Sequence, residues 1–304
     1  MTTGRNLRIG AVRVAVVDVG SNTVRLLVAE RSRRGVRAIR SERAHLGLAT
    51  DVEREGCISD AGLKAVGSFA ERYVSLARRL EARTIDVVVT APGRQSSNPD
   101  ELLAVLGRTG ERARVLSAED EGRLAYSGAL CGLAKTPESL AVCDIGGGST
   151  QLMVGTGEGS VWFRSLDIGS LRLTERVAPG DPPDSDELAS LTEEARAAFD
   201  AVTPPLAPIV LATGGTARAV RRLVGRRLGE RQLARVLRLA AAQPSAQLAA
   251  EYGLDPQRAR TLTAGILILR EAQRRFGVDL EVARGGVREG VVVELLQELE
   301  AAAA

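Results

Sequence analysis

Two stretches decide the fold: residues 18–28, DVGSNTVRLLV, and residues 144–154, DIGGGSTQLMV. They align without a gap, 126 residues apart. Each reads as an apolar strand ending in aspartate, a tight glycine turn, a hydroxyl residue and a second apolar strand. One such turn is ordinary hairpin chemistry. Two in register, each after an apolar strand, point to an internal duplication.

Working outward, apolar alternation predicts strands at 12–18, 23–30 and 36–43, the last two joined by a turn at 33–35. A helix follows from Ser59, a good N-cap, to Leu80. Residues 85–90 read as a buried strand. Asn98-Pro99-Asp100-Glu101 opens a helix, and 115–116 is a short strand. Ser117 caps a helix running to Leu133. The pattern then restarts, with strands at 140–144, 151–155 and 161–166 and a helix near 186–201. After a strand at 209–212 come a largely helical stretch over 216–276, a strand at 280–283 and a helix at 287–300. This gives two β-β-β-α-β-α halves: an α/β fold of two domains, 1–133 and 134–304, with a cleft between them. The last helix is expected to pack back on the first domain.

Each loop can hold phosphate. Its glycines let the backbone approach a ligand, and successive N–H groups form an anion-binding concavity. The first loop supplies Gly20, Ser21, Asn22 and Thr23, and the second Gly146, Gly147, Gly148, Ser149 and Thr150. Asp18 and Asp144 stand at the strand ends, where a carboxylate beside phosphate can hold Mg²⁺. A third element, LATGGTAR at 211–218, carries Gly214 and Gly215 between a strand and a helix. This turn puts a helix N-terminus at the ligand.

Composition narrows the class. The 304 residues are 44% hydrophobic and 26% charged, an ordinary globular balance. No apolar run approaches the roughly 18 residues of a membrane span, and the first, at 14–17, is stopped by Asp18, unlike a signal peptide. Cys57, Cys131 and Cys143 lack metal or disulfide spacing, which predicts a cytoplasmic protein. His45 is the only histidine, so Ser-His-Asp and Cys-His catalysis are set aside. The net charge of +3 does not indicate nucleic acid, and no membrane partner is expected. Nearly all positive charge is arginine, because Lys64 and Lys135 are the only lysines. Eight arginines between 218 and 238 recur at helical spacing. They read as a solvated face, with a polyanion track toward the cleft as the alternative.

DVGSNT, DIGGGST and ATGGTARAV resemble, in order and spacing, the two phosphate motifs and the adenosine motif of the actin/hexokinase/Hsp70-like superfamily. More narrowly, SNTVRLLV, TAPGRQSSN, VLSAEDEGRLAYSG, DIGGGSTQL and RGGVREG resemble the exopolyphosphatase/guanosine pentaphosphate phosphohydrolase (Ppx/GppA) family, in a short form of two ribonuclease-H-like domains. The resemblance implies hydrolysis of a terminal phosphoanhydride, in inorganic polyphosphate or guanosine pentaphosphate, with Mg²⁺ or Mn²⁺. It places the catalytic base at Glu121. The residues alone do not separate Glu121 from Glu119 and Asp120, since any of the three complements the helix dipole.

By the same resemblance Arg25 is the phosphate-contacting arginine of catalysis, and Arg94, Asn98 and Arg288 are further phosphate contacts. Asp144 is the metal-binding aspartate. Where the family usually has a second acid, this chain has Gln151, which implies a weaker or differently placed cation because affinity follows ligand charge. Pro92 and Ser96 also depart from the small residues usual around Arg94. Partners are inorganic polyphosphate or guanosine penta- and tetraphosphate, with a homodimer expected. Two other readings stand beside this one: a non-hydrolysing alarmone- or nucleotide-binding regulator, and a kinase or ATPase of the wider superfamily.

Overall fold

A strand whose residues are apolar on both faces belongs at the centre of a sheet. β1 (Arg13–Val19) is such a strand, with Val14, Ala15, Val16 and Val17 fully buried. In the computed structural model, which describes residues 12–32, 35–133, 135, 137–156 and 159–303, it pairs antiparallel with β2 (Thr23–Ser32) and parallel with β4 (Ala82–Val89). The edges are β3 (Gly35–His45) and β5 (Arg112–Val115), giving the order β3-β2-β1-β4-β5. Part of the turn expected at 33–35, and Ala134 at the expected domain boundary, lie outside the described residues.

The second sheet repeats the arrangement. β6 (Leu140–Ile145) pairs antiparallel with β7 (Thr150–Thr156), which carries β8 (Gly159–Leu166), and parallel with β9 (Val210–Thr213). β10 (Arg227–Leu228) and β11 (Leu280–Val282) complete the order β10-β11-β9-β6-β7-β8. The gapless alignment of the two loops appears here as register: Asp18 lies opposite Arg25, and Asp144 opposite Gln151.

Helices cover both sheets. In the first half these are α1 (Leu48–Glu55), α2 (Asp60–Arg79), α3 (Ala91–Gln95), α4 (Pro99–Gly107) and α5 (Ala118–Leu130). The second half has α6 (Ser170–Val177), α7 (Ser185–Ala198), α8 (Gly214–Val224), α9 (Glu230–Ala242), α10 (Ser245–Tyr252), α11 (Pro256–Arg260), α12 (Leu262–Phe276) and α13 (Val287–Ala301). Ser59 and Ser117 cap α2 and α5 through their side chains. The stretch 216–276 is five helices interrupted by β10, not one helical run. α1, α3 and α6 went unpredicted because none has a side-chain cap; α1 and α6 begin after Gly47 and Gly169.

Two helices hold the halves together. Leu124 of α5 and Val291, Val292, Leu295 and Leu296 of α13 pack on Val14, Val16 and Leu27 of the first sheet. Ala125, Tyr126 and Ala129 of α5 face Leu140, Val142 and Met153 of the second. α13 thus crosses from the second sheet back to the first. Its contact with α5 is backbone to backbone: a Cβ on Gly128 would collide with the Gly286 carbonyl, and one on Gly290 with the Leu124 carbonyl. The glycines of YSG and RGGVREG therefore serve packing.

Candidate active site

The parallel strands of both sheets deliver their carboxyl ends to one crevice, where ligands of open α/β sheets bind. Asp18 ends β1, Thr90 follows β4, Asp144 lies near the end of β6, and Gly214 follows β9. The two glycine loops touch there, with Gly147 and Gly148 lying against Ser21. The result is a narrow cleft of about 90 Å³. Of the predicted residues, Asp18, Gly20, Ser21, Asn22, Thr23, Arg25, Glu121, Asp144, Gly146, Gly147, Gly148, Ser149, Gly214, Gly215 and Arg288 line it.

Glu121 is one turn into α5, with its N–H bonded to the Ser117 carbonyl, and its carboxyl is buried in the cleft wall. Arg94 Nη2 donates to Glu121 Oε2 at 2.7 Å, while Arg94 Nη1 donates to the Leu116 carbonyl at 2.8 Å. Burial pushes Glu121 up to about 7 against the pull of Arg94, with Asp144 adding to the rise. That value suits a general base working near neutrality. Burial also raises Asp18 and Asp144, despite Arg25 beside Asp18 and a hydrogen bond from the Thr213 hydroxyl to Asp144 Oδ1.

Cations face these carboxylates. Arg25 donates from Nε to Thr23 Oγ1 at 2.9 Å and lies across the ladder from Asp18. Its guanidinium is held well below its usual pKa by burial and by Arg218 and Arg288 nearby. The N-termini of α8 and α13 open onto the cleft at Gly214, Gly215, Val287 and Arg288, adding dipole and free N–H groups for an anion. Gly214 has φ +93°, a conformation that side chains disfavour, and a Cβ there would strike the Ile145 carbonyl.

Four predicted residues lie elsewhere. Arg94 is behind the wall, holding Glu121 and reaching Ser149 Oγ at 3.4 Å. The Asn98 amide clamps the backbone of Ile58 on both sides, donating to its carbonyl and accepting from its N–H, each at 2.9 Å. It is a structural clamp outside the cleft lining and caps no helix through its side chain. Thr150 is fully buried and donates to the Ile168 carbonyl at 2.7 Å. Gln151 is buried beneath the second loop, donating from Nε2 to Ser149 and Ser165, with Oε1 unpaired. In an antiparallel pair, residues directly opposite share a face, so Gln151 lies beside Asp144 but off the cleft lining.

Sequence reasoning missed Glu289, Thr213 and Arg258. Glu289 lines the cleft and accepts from the Gly286 N–H at 2.9 Å. Arg258 is buried, and its guanidinium lies over Gly215, where a Cβ would otherwise sit. Glu289 was legible inside RGGVREG, whereas nothing local marks Arg258. The arginine cluster divides. Arg218, Arg221 and Arg222 line a second cavity joined to the cleft, while Arg226, Arg227, Arg231, Arg235 and Arg238 are exposed.

A divalent cation fits these residues in a particular way. Among the described residues, no group of three or more His, Cys, Asp or Glu forms a ready cage. Asp18 and Asp144 are close enough to raise each other's neighbourhood in negative charge, and both are pushed up by burial. Mg²⁺ characteristically takes one or two carboxylates and completes its shell with waters and phosphate oxygens. Asp18 and Asp144 supply that set, and Gln151 does not belong to it as placed.

Comparison with known proteins agrees with this architecture. The family model described as "Ppx/GppA phosphatase family" matches residues 27–299. Exopolyphosphatase 1 of Mycobacterium tuberculosis is 28% identical over 306 residues, covering 93% of this chain and 88% of that one. A guanosine-5'-triphosphate,3'-diphosphate pyrophosphatase of Pseudoalteromonas translucida is 25% identical, covering 94% of this chain and 59% of that one. The crystal structure of the Aquifex aeolicus Ppx/GppA family member superposes with a TM-score of 0.79 at 28% identity, covering 94% of this chain and 98% of that one. With a family match across nearly its whole length, the chain belongs to the Ppx/GppA phosphatase family.

Proposed function

We propose that the protein hydrolyses the terminal phosphoanhydride of inorganic polyphosphate or guanosine pentaphosphate in this cleft, in the cytoplasm and with Mg²⁺. The observation that carries the reading is Glu121: a buried carboxylate with a pKa near 7, fixed by Arg94 and facing two touching phosphate loops. The backbone of residues 20–23 and 146–149 holds the terminal phosphoryl group. Glu121 accepts a proton from the attacking water, whose oxygen bonds to phosphorus as the bridging P–O bond breaks and the shortened chain departs. Arg25 and Arg288 neutralise the negative charge of the group in transfer. Asp18 and Asp144 would hold Mg²⁺, which supplies charge neutralisation at the phosphate oxygens when bound. Most of the acceleration is positioning and electrostatics.

The test is phosphate release from both substrates with Mg²⁺, by wild type and Glu121→Gln. Loss of the base is expected to lower kcat by about 10²–10⁴-fold with binding retained. A variant within threefold of wild type removes Glu121 from the role, and no release by wild type removes the hydrolase reading.

A further inference from the structure

The cleft continues past Arg218. A cavity of about 760 Å³ between β3 and helices α8 and α11 shares Arg25, Gly215, Arg218 and Arg258 with it. Its further walls carry Arg43, Arg221 and Arg222. Among the described residues, Arg43, Arg218, Arg221 and Arg258 form no ion pair. Arg258, only 8% exposed, is a buried cation at the seam of the two spaces. Burial, with Arg218 and Arg43 beside it, pulls Arg258 down to about 10. Burial and the nearby Arg288 lower Arg218 as well. These guanidiniums repel one another and lack a protein anion, so a polyanion is the ligand that would relieve them.

A nucleoside is poorly served by the same walls. Guanine presents N1–H and an amino group, which need acceptors. Asp255 Oδ1 already accepts from the Arg258 N–H at 3.1 Å, and Oδ2 faces His45 Nε2 at 2.7 Å. The Gly253 carbonyl accepts from Arg222 Nη1 at 2.7 Å. No phenylalanine, tyrosine or tryptophan is among the lining residues to stack on a base. A chain of phosphates, by contrast, offers paired oxygens at every unit to guanidinium forks.

We propose that this cavity seats the leaving chain of inorganic polyphosphate, and that the protein therefore selects polyphosphates of several units over guanosine pentaphosphate. The inference rests on the phosphohydrolase reading of the cleft. It is tested by initial rates with Mg²⁺ on tripolyphosphate, on a longer polyphosphate of defined length and on guanosine pentaphosphate. The proteins compared are wild type, an Arg43→Ala/Arg221→Ala double variant and the corresponding Lys/Lys variant, each with its melting temperature checked.

Wild type is expected to show a kcat/KM on the long chain at least tenfold above that on guanosine pentaphosphate. The Ala variant is expected to raise KM for the long chain about tenfold, lowering the long-to-short ratio of kcat/KM by a similar factor. The Lys variant should recover most of that loss, and the difference should shrink as salt rises. Equal efficiency on guanosine pentaphosphate, or an equal loss on long and short chains, overturns the proposal. If wild type releases no phosphate from any substrate, it is the hydrolase reading that fails. Calorimetric titration with the long chain then judges the cavity alone: tenfold weaker binding by the Ala variant sustains it, and equal binding sinks it.

Discussion

Glu121 and Arg94 form the pair on which the chemistry turns. A base works only when deprotonated, so a carboxyl with a pKa near 7 gives a rate that climbs with pH through that value. Arg94 lowers Glu121 through its charge and its hydrogen bond. Arg94→Ala is therefore expected to move the ascending limb of the kcat profile to higher pH, by about one unit or more, while Arg94→Lys moves it less. Unshifted limbs in both variants would reduce Arg94 to scaffolding. The motif TAPGRQSSN was legible as a functional element, but its two marked residues split in role. Arg94 reaches the base, and Asn98 pins Ile58 from 40 residues away. Sequence spacing gives no account of that division, because a side chain's partner is set by the neighbouring strand and helix rather than by its own stretch.

α5 links the catalytic base to the helix crossing. It carries Glu121 in its first turn and Gly128 at its crossing with α13, whose own first turn presents Arg288 and Glu289 to the cleft. An alanine in a helix interior is ordinarily worth about 1 kcal/mol over glycine. At Gly128 the added methyl meets the Gly286 carbonyl and the Gly290 N–H, so the helices must part. Gly128→Ala is expected to destabilise by about 1–3 kcal/mol, the range for overpacking, in chemical denaturation. It should also lower kcat, because Glu121 and Arg288 separate as the crossing opens. A stabilised variant would show that α5 and α13 do not meet there. RGGVREG thus combines two roles: Gly286 and Gly290 admit the neighbouring helix, and Arg288 and Glu289 face the ligand.

Across the whole molecule, the halves meet through their loops and through ion pairs such as Arg54 with Glu175 at 3.3 Å and Arg172 with Glu53. Where they meet, charge is concentrated at a cost to the ligand-free fold. Asp18, Glu121 and Asp144 all have folded pKa values raised above their ordinary ones. The folded state then binds more protons than the unfolded one between the ordinary carboxylate range and about pH 7. The stability these groups contribute is full below that range and is lost as pH rises through it. The metal-free protein is expected to melt at a lower temperature at pH 8 than at pH 5.5, with Glu121 accounting for at most about 3 kcal/mol of the difference. Glu121→Gln should flatten that part of the curve, and an identical slope in the variant would deny Glu121 its raised value.

The sequence by itself determined the doubled strand–turn–strand frame, the two loops and the acid at each strand end. These follow from local rules: apolar periodicity fixes strands, and glycine with hydroxyl residues fixes the turns. It also indicated Glu121, though only through resemblance, since three acids share that first turn. The tertiary structure alone decided which of the marked residues share a surface. It put Thr150 and Gln151 behind the loop, because strand pleating alternates side chains between faces, and it brought Arg258, more than a hundred residues from either phosphate loop, over Gly215. It also separated Arg218, Arg221 and Arg222 from the solvated arginines beyond them, because α8 ends at Val224 and the chain turns away at Gly225. Periodicity records which residues line up along one helix, but what they face depends on packing against elements distant in the chain.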